Sequence, residues 1–329
     1  MNKRFPFTLP KVSDALNGIA AVKRHAASLH PSGFKNRSSN GKALFALSIV
    51  CFFWGTTWIA SKQGVRYMPA LQLAGIRQAI AGAFYILFFL AKGTTWPKGR
   101  EWRPILVLSF LNFLLSNALS TWGVKYISAG LGSIIGAIFP LWLVVIGLFG
   151  TQTAMSRKAV LGLAFGFTGI CVIFYQHLSD FFNADFRFGI FLSLTSTWSW
   201  AFGTIYTKKH AAIFNPYFAL GLQMIIAGPI LYLIATVTKQ AIPFGQIPWQ
   251  SWAAIGYLVL FGSVISFVAY LYALQNLPTE QASLYAYFHP VVALLAGALF
   301  FGEQLTAAIL VGVLVTLYGV RLVNKAAKE

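Results

Sequence analysis

Acidic residues are nearly missing from this chain, with seven Asp and Glu against 25 Lys and Arg in 329 residues. They are Asp14, Glu101, Asp180, Asp185, Glu280, Glu303 and Glu329, too scattered to provide the paired carboxylates of hydrolytic chemistry. Cysteine is as scarce: Cys51 and Cys171 both lie in apolar runs and read as small buried hydrophobes, not as a disulfide. No His/Cys cluster has metal-ligand spacing, so neither a metal nor a cofactor is expected and no catalytic residue is assigned. Period-two alternation is absent as well, which removes the strand signal. A cleavable secretory signal is not apparent, because the first long apolar run begins only near residue 43.

What remains is strongly apolar. Hydrophobic residues make up 57% of the chain, 10% is charged and the mean hydropathy is +0.69. A soluble globule of this length could not hide that much apolar surface, so the composition predicts a polytopic membrane protein whose first partner is the lipid bilayer. The net charge of +18 is large, yet the aromatics lie inside the apolar runs and not among the basic residues. The charge therefore reads as a topology signal, and no nucleic-acid partner is expected.

The second half of the chain repeats the first. A shift of 150 residues superposes Pro140 on Pro290, Gly147 on Gly297, Gly162 on Gly312, Gly169 on Gly319, Ser116 on Ser266 and Ser133 on Ser283. Nearer the start a shift of 146 pairs Trp54 with Trp200, Lys62 with Lys208 and Gly82 with Gly228. Matches of this number in one frame are the signature of an internal repeat, and apolar copies make it a duplicated membrane unit.

Apolar runs of about 20 residues, the length that crosses a hydrocarbon core, fall at 43–63, 70–91, 104–124, 128–149 and 158–176, then at 187–207, 216–238, 252–274, 280–301 and 304–323. Turn residues divide them, among them Pro69, Pro97, Pro104, Asn215-Pro216, Pro243, Pro248 and Pro278. The expected fold is an all-α membrane protein of ten transmembrane helices arranged as two inverted five-helix repeats, residues 43–176 and 187–323. With ten spans and an inner N-terminus, only Lys62, Arg66, Lys125, Arg187 and Lys239 fall on the outer side, with Arg77 inside a span. This bias predicts both termini in the cytoplasm. Five spans per copy is an odd number, so the second copy must enter the membrane upside down. Such copies have two nearly equivalent packings around a midplane site, the physical basis of alternating access.

Residues 1–42 stand outside the repeat and are basic, with Ser32, Ser38, Ser39 and one acid, Asp14. They read as a disordered cytoplasmic tail that meets anionic lipid. An organelle transit peptide shares this composition, and would place the protein in an organelle membrane in place of a cell inner membrane. Residues 324–329 read as a second cytoplasmic tail.

Trp54-Gly-Thr-Thr-Trp-Ile-Ala-Ser-Lys62 and Trp200-Ala-Phe-Gly-Thr-Ile-Tyr-Thr-Lys208 resemble the first-span motif of EamA-type transporters, members of the drug/metabolite transporter superfamily. Gly75-Ile-Arg-Gln-Ala-Ile-Ala-Gly82 resembles that family's second-span arginine segment. Residues 273–283, then Pro290 and Gly302-Glu303-Gln304-Leu305, resemble its C-terminal signature. The resemblance spans both copies, from about 43 to 323. It implies ten helices, a central cavity and export or exchange of small metabolites, without fixing the substrate. The first copy departs from the pattern, with Gln152-Thr153 where the second has Gly302-Glu303.

Polar side chains inside apolar spans mark the candidate cavity, because each is costly in lipid unless paired or hydrated. Asn117, Ser120 and Thr121 recur at helical spacing in the third span, beside Asn112 and Ser116. The first span adds Trp54, Thr57 and Ser61, and the sixth adds Thr197, Trp200 and Thr204. Ser263, Ser266, Tyr270, Tyr285 and Tyr287 follow in the eighth and ninth. Trp54, Thr57, Asn117, Ser120, Trp200, Thr204, Tyr270, Tyr285 and His289 are the expected cavity residues. His289 either donates to a neighbouring backbone carbonyl or binds solute or a proton, and proton coupling, if present, attaches to it. Arg77 either snorkels to the outer interface or pairs with a substrate carboxylate. Glu303 is either a helix-end acid in a loop or a gating residue. Pro140 and Pro290 free a carbonyl one turn earlier, which is tolerated where backbone lines a cavity, and with Arg77 and Glu303 they form the gating or coupling set. Gly132-x-x-x-Gly136 and Gly162-x-x-x-Gly166 read as close helix packing.

These features predict a non-enzymatic carrier of a small neutral or zwitterionic metabolite, such as an amino acid or aromatic compound. A sugar-phosphate or nucleotide-sugar antiporter is the nearest rival and needs cations converging on phosphate, for which only Lys62, Lys208 and Arg77 are at hand. A membrane-embedded transferase needs an acid or base cluster at one interface, and Glu280 or Glu303 alone is poor material for it.

Overall fold

The structure, a computed structural model, describes residues 37–139, 141–142, 145–146, 157–175, 179–210, 215–277 and 285–326. Pro140, Thr153, Glu280 and Ser283 lie outside the described residues, as does most of the basic tail. No strand occurs among those described. The first copy contributes α1 (Arg37–Gly64), α2 (Ala70–Ala91), α3 (Gly99–Gly123), α4 (Ala129–Ala137) and α5 (Arg157–Tyr175). The second contributes α6 (Ala184–His210), α7 (Pro216–Val237), α8 (Trp249–Ala273), α9 (Tyr285–Phe301) and α10 (Ala307–Ala326).

Local chemistry sets the helix ends. Asn215 caps α7 by accepting from the Tyr217 and Phe218 amides at 3.0 and 3.2 Å, with Pro216 in the first turn. Ser128 caps α4 through the Leu131 amide at 3.0 Å. At the far end of α2, Thr94 N bonds Phe89 O and Gly93 N bonds Leu90 O, with Gly93 at φ 76°. The same pair of bonds ends α7, from Gln240 N to Ala235 O and Lys239 N to Thr236 O. There the left-handed residue is Lys239, at φ 55°.

Gly41–Gly64 of α1, together with α2, α3, α7 and α8, are long and apolar enough to cross a membrane. Shorter apolar stretches occur in α5 (Val160–Ile173), α9 (Phe288–Phe301) and α10 (Ala307–Gly319). Helix α6 has the length, 27 residues, but carries Ser193, Thr195, Ser196, Thr197 and Ser199 along its middle, which lowers its hydropathy. Outward-facing side chains are apolar, as a lipid-facing surface requires: Leu87, Leu233, Leu299, Phe300 and Leu314 are all exposed.

Glycines on the paired helices show how the copies meet. A Cβ on Gly75 of α2 would lie 2.9 Å from the Gly228 carbonyl oxygen of α7, and one on Gly228 would lie 2.9 Å from the Gly75 oxygen. Seven residues on, a Cβ on Gly82 would lie 2.9 Å from the Gly221 oxygen. Rising numbers on α2 meet falling numbers on α7, so the two helices run antiparallel. In the repeat frame Gly75 corresponds to Gly221 and Gly82 to Gly228, so each glycine meets its partner's neighbour, as a two-fold axis demands. Helices α5 and α10 cross the same way, Gly169 against Gly312 and Gly319 against Gly162. The protein is thus all-α with two copies inverted relative to each other. The Gly162-x-x-x-Gly166 motif serves this crossing, whereas Gly132 and Gly136 of α4 seat an indole. A Cβ on them would lie 2.8 and 3.1 Å from the Trp58 ring, so that motif makes room for a side chain and not for a helix backbone.

Candidate functional site

Helices α3 and α8, which are repeat partners, widen at the same level. Ser109–Asn117 of α3 and Leu258–Ile265 of α8 are π-helical. Wide turns redirect backbone bonding and recur at functional sites. Carbonyls in these turns accept from neighbouring helices: Leu111 O and Ser116 O from the Ser199 and Ser196 hydroxyls, each at 2.7 Å, Gly262 O from Trp54 Nε1 at 3.3 Å, and Ser263 O from the Tyr85 hydroxyl at 3.1 Å.

Between them lies a cavity of about 150 Å³. Its lining combines the aromatic rings of Trp54, Trp58, Phe139, Trp200, Phe267 and Tyr285 with polar side chains, Asn112, Ser116, Asn117, Ser120 and Thr121 of α3 and Ser196 and Thr197 of α6; Thr57, Ser61, Arg77, Gly136 and His289 complete it. Repeat partners Trp54 and Trp200 meet edge to face, with ring centroids 6.3 Å apart and planes at 87°. Tyr285 lies 5.1 Å from Trp54 and stacks on Phe139 at 6.0 Å.

Arg77 does not snorkel. Only 5% exposed, it points into the cavity and donates from Nε to the Ser263 hydroxyl at 3.0 Å. Seven residues into α2, it faces α8 and not the lipid, because Gly262 leaves room: a Cβ there would lie 2.9 Å from Nη2 and 2.8 Å from the Thr57 methyl. On the opposite side of the axis the roles reverse. Asn112, repeat partner of Gly262, presses its buried amide oxygen against Gly203, repeat partner of Thr57. That oxygen has no hydrogen-bond partner.

His289 is buried, and Nδ1 lies 3.1 Å from the Tyr285 carbonyl. A carbonyl can only accept, so Nδ1 carries a proton, and Nε2 of the neutral ring is an acceptor on the Gly136 side of the cavity. The sequence alternatives for His289 are therefore compatible. Pro290 is buried within α9 behind this ring. Thr204 and Tyr270 are not part of the lining. The Thr204 hydroxyl is spent on the Trp200 carbonyl at 2.9 Å, and Tyr270 packs behind Trp54 and Tyr285 at 5.1 and 5.5 Å. The side chain of Tyr287 is outside the described set.

Glu303 lies away from the cavity, after Gly302 turns the chain at φ 65°. Its carboxylate accepts from Ala129 N at 2.7 Å and Gly130 N at 3.0 Å, capping α4 of the other copy. Lys62 donates to the Ile127 carbonyl at 2.6 Å on the same loop.

Sequence reading of polar residues alone did not select Trp58, Phe139 or Phe267 for the lining. The repeat frame held the signal: Phe139 is the partner of His289, and Phe267 of Asn117. A residue near the axis has its repeat partner across the cavity.

Residues 41–175 and 187–325 each match the EamA-like transporter family. The chain is 28% identical to the Bacillus subtilis protein named as transporter YvbV, over 86% of this chain and 91% of that one. It is 31% identical to an Escherichia coli protein named as inner membrane transporter YedA, over 80% of this chain and 83% of that one. A solved crystal structure superposes with a TM-score of 0.61 over 88% of this chain and 98% of its own, at 15% identity, a likeness of fold.

Proposed function

The chain belongs to the EamA-like transporter family, and from that premise we propose that this multi-pass membrane protein exports or exchanges a small neutral or zwitterionic metabolite, such as an amino acid or aromatic compound, by alternating access. The observation that carries the reading is the cavity between the two copies, lined by aromatic rings together with amides and hydroxyls. Aromatic walls select flat apolar bodies, and neutral hydrogen-bonding groups select polar ones without demanding a net charge. Antiparallel copies can repack about their axis into a second, nearly equivalent arrangement that opens the cavity toward the other face. Glu303 holds α4 of one copy to the loop after α9 of the other, so it forms a contact that parts when that end opens. The basic loops support a cytoplasmic location for both termini, in a cell inner membrane. A sugar-phosphate substrate is disfavoured by a lining whose one permanent cation, among the described residues, is Arg77. Among the described residues, no carboxylate lines the cavity to support an enzymatic reading.

Reconstitution in liposomes, with labelled amino acids, nucleosides and sugar phosphates offered in turn, tests the proposal. Uptake or counterflow of an amino acid is expected. Absence of flux for every solute, with turnover of a lipid in its place, would sink it.

A further inference from the structure

We infer that the solute held in this cavity carries a carboxylate, and that Arg77 is the residue that binds it. The inference rests on the reading of the cavity as the solute site.

A guanidinium is charged at any physiological pH, and burying it without a counter-ion is strongly unfavourable. Arg77 is 95% buried by exposure, yet its one protein partner among the described residues is the neutral Ser263 hydroxyl. The described acids are Glu101, Asp180, Asp185 and Glu303; all lie at helix ends or in the connecting turn, and none lines the cavity. Nothing in the lining repays the desolvation of this charge. The packing is built to keep it there all the same, since Gly262 is the position where a side chain would displace Nη2. The two terminal nitrogens of its planar fork, without a protein partner among the described residues, match the two oxygens of a carboxylate.

The rest of the lining narrows the class. With Arg77 as the one permanent cation in the lining, a phosphate dianion would be left short of positive charge. A single carboxylate is balanced. The buried Asn112 oxygen without a partner sits at the position related to Gly262 by the repeat, and so across the axis from the guanidinium. On the same side the Ser120 and Thr121 hydroxyls, which line the cavity and donate to the Asn117 carbonyl, keep lone pairs for a donor group at the other end of the solute, as an amino acid's ammonium would require. Orientation of a zwitterion is then fixed by the asymmetry of the two copies, with its carboxylate on the α2–α8 side and its donor on the α3–α6 side.

The test uses the purified full chain in detergent at constant ionic strength set with sodium chloride. Acetate and benzoate, the uncharged isosteres acetamide and benzamide, and inorganic phosphate are titrated against thermal unfolding, because a ligand bound only by the folded protein raises its Tm. The carboxylates are expected to stabilise the wild type and the isosteres not. Arg77→Gln should weaken the apparent benzoate affinity at least tenfold, with Arg77→Lys intermediate because it keeps the charge without the fork. Should Arg77→Gln fail to fold, Gly262→Ala serves instead: its new methyl crowds Nη2 and should weaken benzoate several-fold. Stabilisation equal in wild type and variant, none by either carboxylate, or an Arg77-dependent effect of phosphate or chloride as strong as that of benzoate would overturn the inference. In liposomes, the amino acid that moves should be competed at least tenfold more weakly by its own carboxamide in the wild type, and equally by both in Arg77→Gln. Absence of all flux counts against the transport reading alone, while the stabilisation series judges the carboxylate site whatever the flux.

Discussion

At the α2–α7 crossing Gly75, Gly82, Gly221 and Gly228 repeat one another's role, whereas around the cavity Thr57 stands where its partner is Gly203, and Asn112 where its partner is Gly262. The helix crossings obey the two-fold axis because a carrier that swaps between two packings needs both to be nearly equal in free energy. Backbone against backbone is the contact least sensitive to which copy is which. The cavity departs from the axis because a small solute with unlike ends has no such symmetry. Each departure is made by one glycine facing one polar side chain, so a pair of substitutions suffices to turn a symmetric shell into a directional pocket.

The most damaging way to break the comparison is at the symmetric crossing. Gly82→Val would drive a branched side chain into the α7 backbone, with its Cβ 2.5 Å from Ile225 N. It should cost about 3 kcal/mol, the upper range for overpacking, and abolish a monodisperse peak in size exclusion. Its partner Gly228→Val should cost the same, since a Cβ there meets Ala79 N at 2.5 Å. Unequal losses for the two would contradict the two-fold relation. Gly256→Ala, with nothing within 4 Å of the new methyl, is the neutral control.

Next in size is the asymmetric contact. Gly203→Ala pushes the Asn112 amide out of its present place and should lower transport on the order of tenfold while the protein still folds. Flux equal to wild type would remove Asn112 from the solute site. Glu303→Gln keeps the reach of the α4 cap but removes its charge, and should lower stability by about 1 kcal/mol, read as a fall in Tm. An unchanged Tm would mean that the cap contributes no more than solvent does. Smallest, and of opposite sign, Lys239→Gly copies the Gly93 terminus of α2 into α7. Relief of the left-handed strain, with part of the gain lost to the freer unfolded chain, should stabilise by roughly 0.5–1 kcal/mol. A lower Tm would show that Lys239 makes contacts worth more than its strain.

Apolar run length and turn residues placed the helices, and the repeat frame carried the pairing, since glycines matched by sequence proved to be those that cross. The π-helical turns of α3 and α8 were not readable, because they have no residue signature of their own and arise from how neighbouring hydroxyls and indoles claim backbone carbonyls. Thr204 and Tyr270 show a second limit. Polarity and spacing select a face of a helix, but a hydroxyl can satisfy itself one turn back, and an aromatic can stand behind another. The two alternatives for Arg77 could not be separated in the sequence, because distance from a span end says nothing of a gap such as Gly262 on another helix.

The reciprocal contact of Gly75 with Gly228 has a consequence for how such a molecule is assembled. An interface in which each side presents the same surface is isologous, the kind that closes a dimer of identical subunits. A single chain that carries both copies therefore raises the effective concentration of two parts that already fit. Joining them in one chain did something that a dimer of identical subunits cannot do, since it allowed Gly203 and Thr57 to become different residues.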